Sequence, residues 1–310
     1  MMNTDWDQIL HNVDQATRPH IGSGKVADYI PALAAVDPDQ FGMAIALRDG
    51  TVETLGDAET PFSIQSISKV FTLSMVLRLI GDELWKRVGR EPSGSSFNSI
   101  VQLEYEHGIP RNPLINAGAI VVTDHLVRND DCDTMVNEIV ERLRYLAQDG
   151  SIGIDEEVAA SEAKAGARNR ALANFMASCD NMTNEVEQTL SAYFRHCAIS
   201  MTCRQLARAA LFLAFDGCDP ETGEQVVTAS LCRRINAVMM SCGHYDNSGD
   251  FAFRIGLPGK SGVGGGILVI APTYGAIAVW SPGLNHAGTS TVGSIALEAL
   301  VEQTGWSVFV

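Results

Sequence analysis

The chain has 310 residues, 46% of them apolar and 19% charged, with a formal net charge of −15 at pH 7. That length allows one large domain or two smaller ones, and the composition excludes a disordered chain. So acidic a surface repels phosphate backbones and anionic lipid, which argues against a nucleic-acid or membrane-surface partner.

The opening "MMNTDWDQIL" is polar and acidic, unlike a secretory leader. The first regular elements are a hairpin in "FGMAIALRDGTVETLGD". An apolar strand over about 41–47 meets an Asp49–Gly50 turn and a second strand returns. Apolar spacing then predicts helices at 66–80, 116–128, 133–147, 168–178, 183–195, 202–215 and 228–241. "EPSGSS" at 91–96 and "CDP" at 218–220 read as loops or turns. Three further strands are expected at 251–255, 266–271 and 275–281, followed by a helix over about 290–304. Strands at both chain ends with helices between them imply one mostly antiparallel sheet built from the two ends and flanked by helices. The expected division is a single catalytic domain over 1–310. Its sheet lobe covers about 1–65 plus 242–310, its helical lobe about 66–241, and a ligand groove lies between them.

The longest apolar runs, "AGAIVV" and "GILVIAP", are too short to span a bilayer. Seven cysteines are scattered from Cys132 to Cys242 with no C-x-x-C pair, so they read as small buried hydrophobes in a reducing compartment. The seven histidines lack metal-ligand spacing. The expectation is a soluble cytoplasmic protein without a metal site.

Within "FSIQSISKVFTL" a lysine, Lys69, follows a serine, Ser66, by three residues, so the two share one face of a helix. Ile67, Val70, Phe71, Leu73, Val76 and Leu77 cover most of the remaining surface. A lysine held in such surroundings loses proton affinity, and a neutral amine can take a proton from a hydroxyl. Backbone N–H groups in the first turn are free to stabilise an oxyanion. The bland alternative is a surface serine with a lysine snorkelling to water, and S-x-x-K alone favours it. Only five residues are lysines: Lys25, Lys69, Lys86, Lys164 and Lys260. Two of the five fall in the stretches that look chemical.

The second such stretch is "GLPGKSGVGGGILVIAP", where Lys260-Ser261-Gly262 precedes a strand. S-x-x-K followed by a K-T-G-like triplet marks penicillin-recognising serine enzymes, and "YDN" at 245–247 stands where those enzymes carry S-D-N or a tyrosine variant. A phosphate loop fails because Arg254 stands where its first glycine belongs. A dinucleotide fingerprint fails at Ile267. Gly264 to Gly266 have two readings: close approach of an edge strand to a substrate backbone, or a plain β-bulge.

Beyond these triplets the chain resembles the serine-dependent glutaminases, amidohydrolases of the serine β-lactamase-like α+β fold. The likeness runs from "KVADYIPALA" to "VWSP", through "EPSGSSFN", "NPLINAGAIVV", "SEAKAGARNRALA", "YFRHCAI" and "SCGHYDNSGDFAFRIGLPGKSGVGGGI". It implies hydrolysis of L-glutamine to L-glutamate and ammonia without a cofactor. It assigns Ser66 as nucleophile, Lys69 as its base and Tyr245 as proton-transfer aid, and places Tyr29 beside the nucleophile. Asn116, Glu162, Asn169, Tyr193 and Val263 would hold substrate together with Ser66 and Tyr245. The N–H groups of Ser66 and Val263 would form the oxyanion hole. A homodimer or homotetramer is implied as well. Glutamine chemistry agrees: its α-ammonium needs an anion, which Glu162 supplies, and its α-carboxylate needs neutral donors. Without the motif, Glu162 would read as a solvated helix charge, and Tyr29 and Tyr193 as core or rim aromatics.

Ser261 replaces the threonine of penicillin-recognising enzymes, and Tyr245 lies closer to Lys260 than S-D-N does to K-T-G. Lys260 therefore keeps two readings: an electrostatic organiser of the site, or a residue outside direct contact. Two rival functions also stand: a β-lactamase or peptidase-like serine acyl transferase, separable by nitrocefin hydrolysis, and a non-catalytic amino-acid-binding protein, separable by thermal stabilisation with glutamine but no turnover.

Overall fold

The computed structural model describes residues 5–93, 99–127 and 132–309. In chain order the helices and strands are α1 (Trp6–Thr17), α2 (Pro31–Ala34), β1 (Gly42–Leu47), β2 (Val52–Gly56), β3 (Phe62–Ser63), α3 (Ser68–Ile80), α4 (Ile100–Tyr105) and α5 (Asn116–Val127). They continue with α6 (Cys132–Ala147), β4 (Gly153–Ile154), α7 (Glu156–Ala165), α8 (Ala167–Ser178), α9 (Val186–Cys197), β5 (Ile199–Met201) and α10 (Cys203–Ala209). The last are α11 (Ala229–Cys242), α12 (Ser248–Ile255), β6 (Gly259–Ser261), β7 (Gly266–Ala271), β8 (Gly275–Trp280) and α13 (Thr291–Thr304).

The main sheet has the order β2-β1-β8-β7-β6, every pair antiparallel, so strands from both ends of the chain are joined at the β1–β8 seam. Successive side chains of a strand point to opposite faces, and both faces here are covered. Met43, Ile45, Val269, Ile277 and Val279 pack with Val13, Val292, Leu297 and Leu300 of α1 and α13. Ala44, Ala46, Leu268, Ala276 and Ala278 pack with Cys203, Leu206 and Ala207 of α10 and with the helices beyond. This two-sided burial explains why β1, β7 and β8 read as apolar runs rather than as alternating strands. A small second sheet, β3-β5-β4, ties the segment leading into Ser66 to the end of α9.

The α+β architecture is the expected one, with local differences. The stretch 251–255 is not a strand but the last part of α12. Its Phe251 and Ile255 are buried one turn apart while Phe253 is 90% exposed, and Gly256 ends the helix in the left-handed region (φ +68°). The three aromatic and aliphatic residues at alternate positions imitate a strand; their burial follows the helical period. The helix expected at 202–215 breaks into α10 and a 3-10 turn over Leu211–Ala214. The one expected from 183 begins at Val186. Among the described residues, five helices were not anticipated: α1, capped by Asp5, α7, capped by Asp155, the short α2 and α4, and α12 itself. Residue 128 of the expected helix and residues 94–98 of "EPSGSSFN" lie outside the described residues. Among the described residues no helix is long and apolar enough to cross a membrane.

Candidate active site

Ser66 sits in a 3-10 turn, Gln65–Ile67, immediately before α3 rather than inside the helix, and it is buried. The turn is forced: Gln65 adopts φ +50°, a conformation that costs a side-chain-bearing residue of order 1 kcal/mol. Ile64 N–H bonds to the Ile199 carbonyl at 2.9 Å and anchors the approach. Lys69, the second residue of α3, is 1% exposed. Its Nζ donates to Asn116 Oδ1 at 2.7 Å and to the Leu114 carbonyl at 3.5 Å, and lies 5.7 Å from the centre of the Tyr193 ring. Burial pulls the Lys69 pKa from 10.5 down to about 8, so about a tenth of the amine is neutral at pH 7.

Asn116 opens α5 and works in both directions: its Nδ2 donates to Asn169 Oδ1 at 3.0 Å. Asn112 fixes this approach by accepting the N–H groups of Leu114 and Ile115 at 3.0 and 3.1 Å. A cavity of about 230 Å³ is lined by Tyr29, Gln65, Ser66, Asn116, Glu162, Gly166, Arg168, Asn169, Tyr193, Cys197, Tyr245 and Val263, among others. All the residues that the resemblance assigns to the site line it except Lys69, whose Nζ is bonded to Asn116. Glu162 comes from α7 and Asn169 from α8, with the helix broken at Gly166. A Cβ at Gly166 would meet the Phe194 ring at 2.5 Å. Burial raises the Glu162 carboxyl to about 7, against the opposing pull of Gln65 and Lys69. Burial also raises the phenols of Tyr193 and Tyr245, the Ser66 hydroxyl pulling Tyr245 the other way through a hydrogen bond. Burial holds the Cys197 thiol up at about 12, so it is inert. Tyr29 is 54% exposed and forms part of the rim.

The glycine-rich stretch turns out to serve the chain's own backbone. The β6–β7 turn is closed by Gly262 N–H to the Gly266 carbonyl at 2.9 Å, with Val263 near its tip. A Cβ at Gly262 would stand 2.6 Å from the Ile64 carbonyl, and one at Gly264 would stand 2.4 Å from that of Ser63. These glycines let the turn lie directly on the segment entering Ser66, which is neither a substrate-strand contact nor a plain bulge. Trp280 locks the arrangement, with Nε1 donating to the Gly264 carbonyl at 2.9 Å and its ring stacked on Phe62 at 5.1 Å. Lys260 is fully buried behind this turn. Its Nζ bonds to the carbonyls of Gly243 and Ser261 at 3.0 and 2.6 Å and sits 4.3 Å over the Tyr245 ring. It reaches the site through Tyr245 and does not line the cavity.

Among the lining residues that escaped the sequence reading are Gln65 and Arg168. Gln65 hydrogen-bonds the Glu162 carboxylate and donates to Ser63 Oγ at 3.0 Å; nothing but its place beside Ser66 signals this. Arg168 stands on the wall beside Asn169, and its adjacency to a motif residue was the only cue. A larger cavity of about 350 Å³ runs along the later half of α3, between Phe71, Met75, Leu79, Leu126, Leu146 and Phe212. Its serine, Ser74, spends its proton on the Val70 carbonyl, so it offers no comparable chemistry. Among the described residues no three His, Cys, Asp or Glu side chains converge as a metal ion requires.

The family model named Glutaminase matches residues 24–309. The chain belongs to the glutaminase family. A glutaminase from Methylobacterium radiotolerans is 59% identical over 305 residues, 98% of this chain and 99% of that one. One from Rhizobium rhizogenes is 57% identical with the same coverage. Among solved structures, the protein named Probable glutaminase ybaS superposes with a TM-score of 0.92 at 36% identity, over 99% of both chains. The probable glutaminase from Bacillus subtilis in complex with 6-diazo-5-oxo-L-norleucine gives 0.88 at 30%, over 100% of this chain and 98% of that one. This glutaminase-family member is thus a hydrolase on a serine β-lactamase-like α+β fold.

Proposed function

We propose that the protein hydrolyses L-glutamine to L-glutamate and ammonia through an ester on Ser66. The observation that carries the mechanism is Lys69, an amine buried one turn from Ser66, hydrogen-bonded to Asn116 and held at a pKa of about 8. Neutral Lys69 takes the Ser66 proton as Oγ attacks the side-chain amide carbon. Negative charge gathers on the amide oxygen against the N–H groups of Ser66 and Val263; one such donor is typically worth about a hundredfold to a thousandfold in rate. Tyr245, which shares a hydrogen bond with Ser66, carries the proton to the departing nitrogen. Ammonia leaves, a water attacks the ester, and glutamate is released as Ser66 regains its proton.

Substrate recognition follows from charge. Glu162 holds the α-ammonium. Asn116, Asn169 and the hydroxyls of Tyr193 and Tyr29 hold the α-carboxylate. The Bacillus subtilis relative bound to a norleucine derivative supports an α-amino acid in this cavity. The catalytic unit is the whole chain, with the cleft between a sheet lobe (about 1–65 plus 242–310) and a helical lobe (about 66–241). It acts in the cytoplasm as a homodimer or homotetramer, which light scattering would test.

The decisive assay couples detection of ammonia and glutamate. The native protein releases both in equal amounts from glutamine, and Ser66→Ala folds normally but loses at least about a thousandfold in kcat. Full turnover by Ser66→Ala removes the nucleophile. Absence of turnover by the native protein removes the reaction.

A further inference from the structure

Behind the wall that carries Ser66, three helices meet at one imidazole. Ser68, the first residue of α3, places Oγ 2.8 Å from Nδ1 of His196 on α9. Thr123 on α5 places Oγ1 3.0 Å from Nε2 of the same ring. All three residues are fully buried, and none lines the cavity.

Each hydroxyl has a second partner. Ser68 Oγ stands 2.8 Å from the Gln65 carbonyl, and Thr123 Oγ1 stands 2.8 Å from that of Ala119. A hydroxyl has one proton to give. Burial and the neighbouring Lys69 drive the imidazole pKa down to about 3, so the ring is neutral, with one N–H and one lone pair. It therefore donates to one hydroxyl and accepts from the other, and the hydroxyl that serves the ring abandons its carbonyl. The two choices are unequal. The Ala119 carbonyl lies inside α5, where the N–H four residues on serves it. The Gln65 carbonyl lies before α3 and receives a tighter 3-10 bond from Ser68 N–H, which that N–H shares with the Ser66 carbonyl, and it belongs to the residue held at φ +50°. The proton of Ser68 is worth more at Gln65 than that of Thr123 is at Ala119.

We propose that His196 is a positioning residue: its Nδ1–H donates to Ser68 Oγ, Ser68 gives its own proton to the Gln65 carbonyl, and this relay locks the left-handed turn that presents Ser66 to the cavity. The kinetic consequence rests on Ser66 being the nucleophile; the hydrogen-bond relay does not.

Long-range 1H–15N correlation on the full chain, labelled at histidine nitrogen, tests the relay directly. The expected pattern for His196 is a protonated Nδ1 and a bare Nε2, unchanged across neutral pH. A protonated Nε2 with bare Nδ1, or an imidazolium, overturns it whatever Ser66 does. Kinetics test the consequence. His196→Asn, whose amide N–H can stand where Nδ1 does, keeps kcat within about threefold. His196→Gln, which reaches Thr123 instead, and Ser68→Ala each lower kcat at least about tenfold with KM within about twofold. The double variant His196→Gln/Ser68→Ala is no slower than Ser68→Ala, because both remove one relay. Equal kcat in the Asn and Gln variants, or a loss confined to KM, overturns the proposal. Should His196→Gln not fold, Ser68→Ala and the tautomer decide.

Discussion

Lys69 is held against its own charge. A tenfold change in proton affinity corresponds to about 1.4 kcal/mol, so lowering its pKa from 10.5 to about 8 means that the charged amine costs the fold about 3 kcal/mol at neutral pH. The sign follows from proton counts: between about pH 8 and 10.5 the unfolded chain binds a proton that the folded one has released, so stability rises with pH there, and below 8 the full cost is present. Replacement by an apolar side chain of similar length removes this cost and leaves Asn116 Oδ1 short of a donor, worth about 1 kcal/mol. Lys69→Met therefore abolishes turnover and stabilises the protein by about 2 kcal/mol in denaturant unfolding; a loss of stability of that size would contradict the burial cost.

Lys69 and Glu162 together set the pH profile of the proposed reaction. Glu162, raised to about 7 by burial, must be ionised to hold the substrate ammonium, and Lys69, near 8, must be neutral to act as base. The value of kcat/KM reports the free enzyme and should rise from pH 6 to 8.5 with both ionisations. In the complex the substrate's ammonium holds Glu162 ionised, so kcat should show Lys69 alone. Initial rates across that range check this, and a flat kcat from pH 6 to 8.5 would contradict the role of Lys69.

At the scale of elements, the site is assembled where three segments touch: the turn before α3, the start of α5 and the β6–β7 turn. The last contact depends on missing side chains. Gly262→Ala would place a methyl group 2.6 Å from the Ile64 carbonyl and push Val263 away from Ser66. We expect kcat to fall at least about tenfold with a smaller change in KM, measured by steady-state kinetics; unchanged kcat would mean that the turn contributes no oxyanion donor. This level also marks how far the sequence could be read. Ser66 and Lys69 were legible because the Lys260-Ser261-Gly262 stretch and the longer motifs lifted an i, i+3 spacing that alone favours a surface reading, and β1, β7 and β8 were legible from their apolar runs, while the short β6 was not. The identity of α12 was not, since Phe251, Phe253 and Ile255 fit a period of two until their burial is known. The purpose of the glycines was hidden too, because the backbone they approach lies almost two hundred residues earlier. Gln65 gave no signal beyond its place beside Ser66, as its importance comes from a backbone angle and from side-chain bonds to distant or folded-back partners.

For the molecule as a whole, a net charge of −15 is a self-repulsion that salt relieves. The Debye length falls from about 8 Å at physiological ionic strength to about 3 Å at 1 M, so the midpoint of thermal unfolding should rise with NaCl. Glutamine is a zwitterion with no net charge, so kcat/KM should change less than about threefold over the same range. A strong loss of kcat/KM with salt would point to long-range steering instead. The acidic surface and the buried amine are separate designs: one acts on the whole fold, the other within a cavity of about 230 Å³. The central claim concerns the second, and the scarcity of lysine makes it directly measurable. With only five lysines, the side-chain carbon next to each Nζ can be resolved by 13C NMR and Lys69 identified by its loss in Lys69→Met. The account predicts a Lys69 signal that titrates near pH 8, and a signal that titrates at 10 or above would contradict it.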